Sequence, residues 1–283
     1  MRFDMSRAWR DATAMIAANR EVMLIVAGVF FFLPNVVTSL LLPTTEATFS
    51  PAERAPSQDI GQILAQLESQ LQAALPPGAL LAIFLSGLAQ AIGLIALLAL
   101  LRDDTKPTVG EALKVGIMGL LPYIGAQLLA GFGLALALGV LIGVPAAIGL
   151  GAIAGIMIIA AIPIFAYVMI KISLVSPVIA IEKLMNPIAI LSRSWSLTKG
   201  NSFRLLGYYA LLTLAFLVIS LVIGIVFGLL TALMGTGTAF QLVNAVLSGL
   251  LSGAATMVLA GVMAAIHRQL AGPSTGNLEN TFG

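Results

Sequence analysis

The stretch Lys171–Tyr209, KISLVSPVIAIEKLMNPIAILSRSWSLTKGNSFRLLGYY, gathers charge, proline, tryptophan and a helix-start signal between two long apolar runs. Asn186 before Pro187 predicts a helix start, because an Asn side chain accepts from free first-turn N–H groups and proline has none to lose there. Gly200-Asn201 predicts the stop. Within that helix Ile188, Ile190, Leu191, Trp195 and Leu197 are apolar, while Ser192, Arg193, Ser196 and Lys199 are polar. Trp195 with flanking bases suits a membrane interface, since indole has an apolar body and a polar edge.

Working outward, the flanking runs decide the class. The chain is 59% hydrophobic and 9% charged, with a mean hydropathy of +1.06, far outside the soluble range. Uncharged runs reach the roughly 20 residues that a helix needs to cross hydrocarbon. Barrel strands would alternate and be about half as long. The expected fold is all-α and polytopic, one domain over 1–272 followed by a polar tail, 273–283. Six spans are predicted at about 21–42, 78–101, 122–143, 147–170, 203–234 and 240–266. Interfacial helices are predicted at about 5–19, 108–121 and 187–199. Phe3, Met5, Ala8, Trp9, Ala12, Met15 and Ile16 give the first of these a face for the membrane surface. Thr108 and Glu111 form a capping-box pattern for the second, and Pro122 is expected to end or kink it before the third span. Val144-Pro145 reads as the turn between spans three and four. The basic start and apolar run could suit a signal peptide, but the run's length and the lack of a convincing cleavage site favour an uncleaved anchor.

The bases set the orientation. Of 14 Lys and Arg residues, only Arg54 lies in the polar 43–77 segment, which also holds Glu46, Glu53, Asp59 and Glu68. By the positive-inside rule both termini are cytoplasmic and 43–77 is an external loop. Ile60, Ile63, Leu64, Leu67, Leu71 and Leu75 predict an amphipathic helix in that loop. Three times the chain reads surface helix, span, turn, span, which suggests a threefold hairpin repeat. Small residues recur every fourth position at Gly131, Ala135, Gly139 and Gly143, at Ala147, Gly151 and Gly155, at Gly224 and Gly228, and at Ala245, Gly249 and Gly253. Such stripes let helices approach closely, and packing within one bundle is the expected use.

Chemistry-bearing signals are sparse. There is no cysteine and one histidine, His267, beside Arg268 at a predicted membrane edge, where a solvated or interfacial role is expected. No metalloprotease, nucleotide-binding or nucleophile-elbow motif is present. Asn35, Gln90, Gln127, Gln241 and Asn244 are expected to tie helices together. Lys171 and Glu182 lie eleven residues apart, roughly 16 Å along a continuous helix, unless Pro177 breaks it. Lys171 sits either at the membrane edge or inside the helix. Two readings of the central stretch stay open. Glu182 pairing with Arg193 or Lys199 would clamp the surface helix to span four. Alternatively, Lys171, Arg193, Lys199 and Arg204 would face anionic headgroups.

The central pattern also resembles a known family. SPVIAIE followed by NPIAILSRSWSLTKGNSFRLL, with Pro177, Glu182, Arg193, Ser194, Trp195, Leu197, Thr198 and Gly200, is similar to the bacterial membrane-domain family named after glycerophosphoryl diester phosphodiesterase. The resemblance covers residues 165–215 and is architectural elsewhere. It implies a six-span protein of the bacterial cytoplasmic (inner) membrane. The phosphodiesterase chemistry of that family belongs to a separate soluble barrel, for which this chain has neither the length nor the residues. The expected function is therefore a non-enzymatic scaffold or accessory protein. Its expected partners are membrane lipids and other membrane proteins, with no nucleic acid, cofactor or metal. The alternative is a transporter or permease subunit for a small or amphipathic solute, with a midplane cavity lined by the buried amides.

Overall fold

Helices long and apolar enough to cross a membrane make up most of the chain. The computed structural model describes residues 2–41, 78–102, 107–234 and 237–272. Among these, α1 is Met5–Ala18. The spanning helices are α2 (Arg20–Leu41), α3 (Ala79–Leu100), α4 (Val109–Ala147) and α5 (Gly151–Ile172). The shorter α6 (Val175–Glu182) and α7 (Pro187–Thr198) follow, and then α8 (Ser202–Met234) and α9 (Thr238–Ala271) complete six candidate spans. The protein is an all-α, multi-pass membrane protein. The predicted loop helix over 60–75 and the polar tail 273–283 lie outside the described residues.

Several boundaries differ from expectation for physical reasons. Thr108 and Glu111 form the predicted reciprocal cap, but the helix they start runs through Pro122 into the span. The expected interfacial helix over 108–121 is thus the first part of α4. A proline in an apolar helix loses one backbone bond, which neighbouring helices tolerate when they bury it, and Pro122 is buried. Val144-Pro145 is not the turn. Val144–Ala147 is helical, and the chain reverses at Ile148–Leu150, where Gly149 takes a left-handed φ of +82° that other residues avoid. A short π turn precedes this proline, at Gly139–Gly143, and another, Gly28–Phe32, precedes Pro34 in α2. Each widening lies where the proline cannot donate back along the helix.

Burial is concentrated at one end of the bundle. The buried part of α3 is its C-terminal half, with Ile95, Leu97 and Leu98; that of α4 is N-terminal, with Ala112 and Ala126. The pattern alternates through α5 (Ile170), α8 (Leu205) and α9 (Ile266), as antiparallel order requires. This end carries both ends of the described chain and most of the described bases. Toward the other end, Phe84, Phe132, Ile159, Leu229 and Leu242 are exposed, as lipid-facing side chains are.

The small-residue stripes divide accordingly. Gly249 meets Phe32 and Val36 of α2, so the α9 stripe is a packing seam. A Cβ at Gly131, Gly139, Gly143, Gly151, Gly155, Gly224 or Gly228 would meet nothing within 4 Å among the described residues. Among the described residues those three stripes make no close helix contact at their glycines. Close approach occurs instead at glycines such as Gly116, where a Cβ would lie 2.6 Å from the Ile92 carbonyl oxygen of α3.

α1 is amphipathic, and its small apolar face packs against the protein, on α9. Ala8 and Ala12 are buried, and Ile16 packs over Gly261 of α9. The Phe3 ring stands edge-on to Tyr208 at 5.6 Å, and its N–H donates to Asn201 Oδ1 at 2.9 Å. Asp11 joins Arg268 at 3.0 Å. Trp9 remains exposed.

Candidate functional site

The central stretch folds into two adjoining constellations. Helix α7 begins as predicted: the Asn186 side chain accepts from the Ile188 and Ala189 N–H groups, with Pro187 in the first turn. It stops at Thr198, and Gly200 with φ +81° turns the chain into α8. Between α5 and α6 the helix breaks at Ser173–Leu174. Pro177 lies in the first turn of α6, buried, where its missing donor would have faced the Ser173 carbonyl four residues back. It marks the restart after the break and lies some way from Lys171 in sequence.

The first constellation is a clamp. Arg193 Nε donates to both carboxylate oxygens of Glu182, at 3.0 and 2.8 Å. His267 Nε2 lies 2.9 Å from Glu182 Oε1. A carboxylate only accepts, so His267 donates there and its Nε2 carries the proton. The clamp ties α6, α7 and α9 together. His267 was not expected in it. The sequence reading has it solvated or interfacial at a membrane edge, but its side chain is only 5% exposed and bonded within the protein. No local pattern links residues 85 positions apart.

The second constellation surrounds Lys171, which is 2% exposed although it ends an apolar helix. Its Nζ lies 5.3 Å from the ring centroids of both Tyr167 and Trp195. The two rings meet nearly at right angles, 85°, with centroids 6.1 Å apart. The ammonium therefore sits against two π faces, which attract a cation. Beside it the Ser194 hydroxyl, itself buried, donates to the Lys171 carbonyl at 2.7 Å and pins α7 to α5.

Lys171 and Tyr167 line a cleft of about 850 Å³ that Arg2, Lys199, Asn201 and Arg204 complete. Three separate segments thus deliver four cationic side chains to one opening. None of the four pairs with a carboxylate among the described residues. The first turn of α8 has no acidic residue and carries Arg204, so bases stand at the positive end of a helix dipole. Like charges arranged this way repel one another and attract anions.

Of the seven residues singled out from the sequence, Lys171, Trp195, Lys199 and Arg204 fall at or beside the cleft, whereas Glu182 and Arg193 belong to the clamp. Pro177 touches the chemistry of neither. Arg2, Tyr167 and Asn201 were not singled out. Arg2 could not be placed from sequence, because α1 docks across the far end of the chain. No group of three or more His, Cys, Asp or Glu among the described residues is arranged to hold a metal ion. No family model, curated protein or solved structure matches the chain.

Proposed function

We propose that the protein is a non-enzymatic membrane scaffold or accessory protein of a bacterial inner membrane. It engages anionic lipids or partner proteins through a basic face turned, with both termini, to the cytoplasm. The observation that carries this reading is the cleft: four cations from three segments, without a described carboxylate among them. Such a surface draws anionic headgroups, each exposed base contributing about 1 kcal/mol near a charged leaflet. The resemblance of residues 165–215 to the phosphodiesterase membrane-domain family bears on architecture and supplies no catalytic residues. Glu182 and Arg193 hold the surface helix in place and stay out of headgroup binding.

The test is native mass spectrometry of the protein released from nanodiscs containing phosphatidylglycerol in phosphatidylcholine. Bound phosphatidylglycerol is expected in the wild type, and its loss is expected in the Lys199→Gln/Arg204→Gln double variant. Arg193→Gln is expected to leave retention intact. Equal retention by the double variant and the wild type would overturn the assignment to this face.

A further inference from the structure

Resting on that reading, we infer that the cleft is a site for one membrane lipid ending in a phosphomonoester, with Lys171 as its deep contact. The buried ammonium is the primary observation. Removing most of the water around an ammonium is costly, and two ring faces return only part of that cost. Lys171 is almost completely buried, lines an open cleft and has no described carboxylate beside it. An anion entering the cleft supplies the missing partner.

The depth of Lys171 distinguishes headgroups. Arg2 and Lys199 are exposed at the mouth, while Lys171 lies on the floor. A phosphodiester carries one negative charge, two unesterified oxygens and a substituent on each side, so it brings less charge and more bulk to the floor. A monoester ends in three unesterified oxygens with a charge of about −1.5 to −2. It can bring those oxygens to Lys171 while Arg204 and Lys199 meet the same group from the side. Four cations also balance a dianion better than a monoanion.

The bearer of the group is a lipid. The residues around the opening lie at the ends of two spanning helices, α5 and α8. Phe203, on the rim, is 84% exposed, and the Tyr167 ring is exposed beside it. Acyl chains can leave along the apolar surfaces of α5 and α8 while the phosphate stays among the bases.

The experiment offers the wild-type protein dioleoyl phosphatidic acid and dioleoyl phosphatidylglycerol in equal amounts in phosphatidylcholine nanodiscs. Native mass spectrometry then counts retained lipid. One phosphatidic acid is expected per chain, preferred by about tenfold or more, the worth of one added charge-assisted hydrogen bond. Lys171→Met is expected to bring the two lipids to parity. The wild-type comparison needs no variant, so a Lys171→Met protein that fails to fold leaves the test in force. A Trp9→Phe protein gives a second readout, since Trp195 is then its only tryptophan. Its emission is expected to change with phosphatidic acid and not with phosphatidylglycerol.

Equal retention of the two lipids, abolished by Lys199→Gln/Arg204→Gln, would overturn the monoester inference and leave the anionic-face reading standing. Retention of neither would overturn both. A preference that survives in folded Lys171→Met would remove Lys171 from the site. Displacement of the lipid by inorganic phosphate at comparable concentration would show a soluble anion site and overturn the lipid assignment.

Discussion

Replacing Glu182 with glutamine removes the acceptor shared by α7 and α9 while keeping side-chain size. The carboxylate accepts from Arg193 through both oxygens and from His267 through one. Glutamine offers a single uncharged acceptor oxygen, so the ion pair is lost, and where the NH2 group takes the Oε1 position the His267 N–H is left facing a donor. Arg193 is 39% exposed and can turn to water; an ion pair at that exposure is worth about 1 kcal/mol or less. His267, 5% exposed, cannot, and a buried donor without a partner costs about 1–3 kcal/mol. Glu182→Gln is therefore expected to destabilise by about 2–3 kcal/mol in total, with His267 carrying the larger share. Arg193→Gln leaves the His267 bond in place and is expected to cost about 1 kcal/mol or less. Thermal unfolding in mild detergent, followed by tryptophan emission, is the assay. At about 2–4 °C per kcal/mol for a chain of this order of size, Glu182→Gln is expected to lower the midpoint by roughly 5 °C or more. If Arg193→Gln proves more damaging than Glu182→Gln, or if the latter unfolds with the wild type, the clamp is not centred on this carboxylate.

Three further outcomes follow from local geometry, alongside the lipid-retention experiments. Gly116→Ala places a methyl group 2.6 Å from the Ile92 carbonyl oxygen, and is expected to destabilise by about 1–3 kcal/mol. Gly131→Ala in the same helix meets nothing within 4 Å and is expected to be neutral or stabilising by up to about 1 kcal/mol, through helix propensity; paired thermal midpoints check both. Asn186→Ala removes the acceptor of two first-turn N–H groups. It is expected to cost about 1 kcal/mol and to show as faster amide exchange over Pro187–Leu191.

Features encoded by neighbours in sequence were legible. The Thr108–Glu111 and Asn186–Pro187 starts depend on residues within three positions, and the spans depend on continuous hydrophobicity. The partners of Glu182 were only half legible. Arg193 lies eleven positions away, within reach of a local reading, whereas His267 reaches it only because α9 returns to the same end of the bundle. Small residues at every fourth position mark a helix face that permits close approach, and they do not say whether a partner comes. Gly249 received one in α2; Gly131 and Gly224 did not, among the described residues. Pro122 misled for a related reason, since the cost of a proline in an apolar helix depends on the tertiary surroundings. Lys171 was visible as a charge at the end of an apolar run. Its aromatic corner was not, because Tyr167 is one turn back on α5 and Trp195 arrives on α7.

The docking of α1 onto α9 has a bearing on how the chain is assembled. The seat of the first helix is made of Gly261 and Arg268 on α9, with Asn201 just before α8 and Tyr208 within it. Along the chain α1 precedes all of these, so Phe3, Ala8 and Ala12 have no seat until the later helices are in place. Its closure is then a late step that joins the first helix to the sixth span. The same step brings Arg2 to the cleft, so the four-cation opening is complete only once α9 is in place.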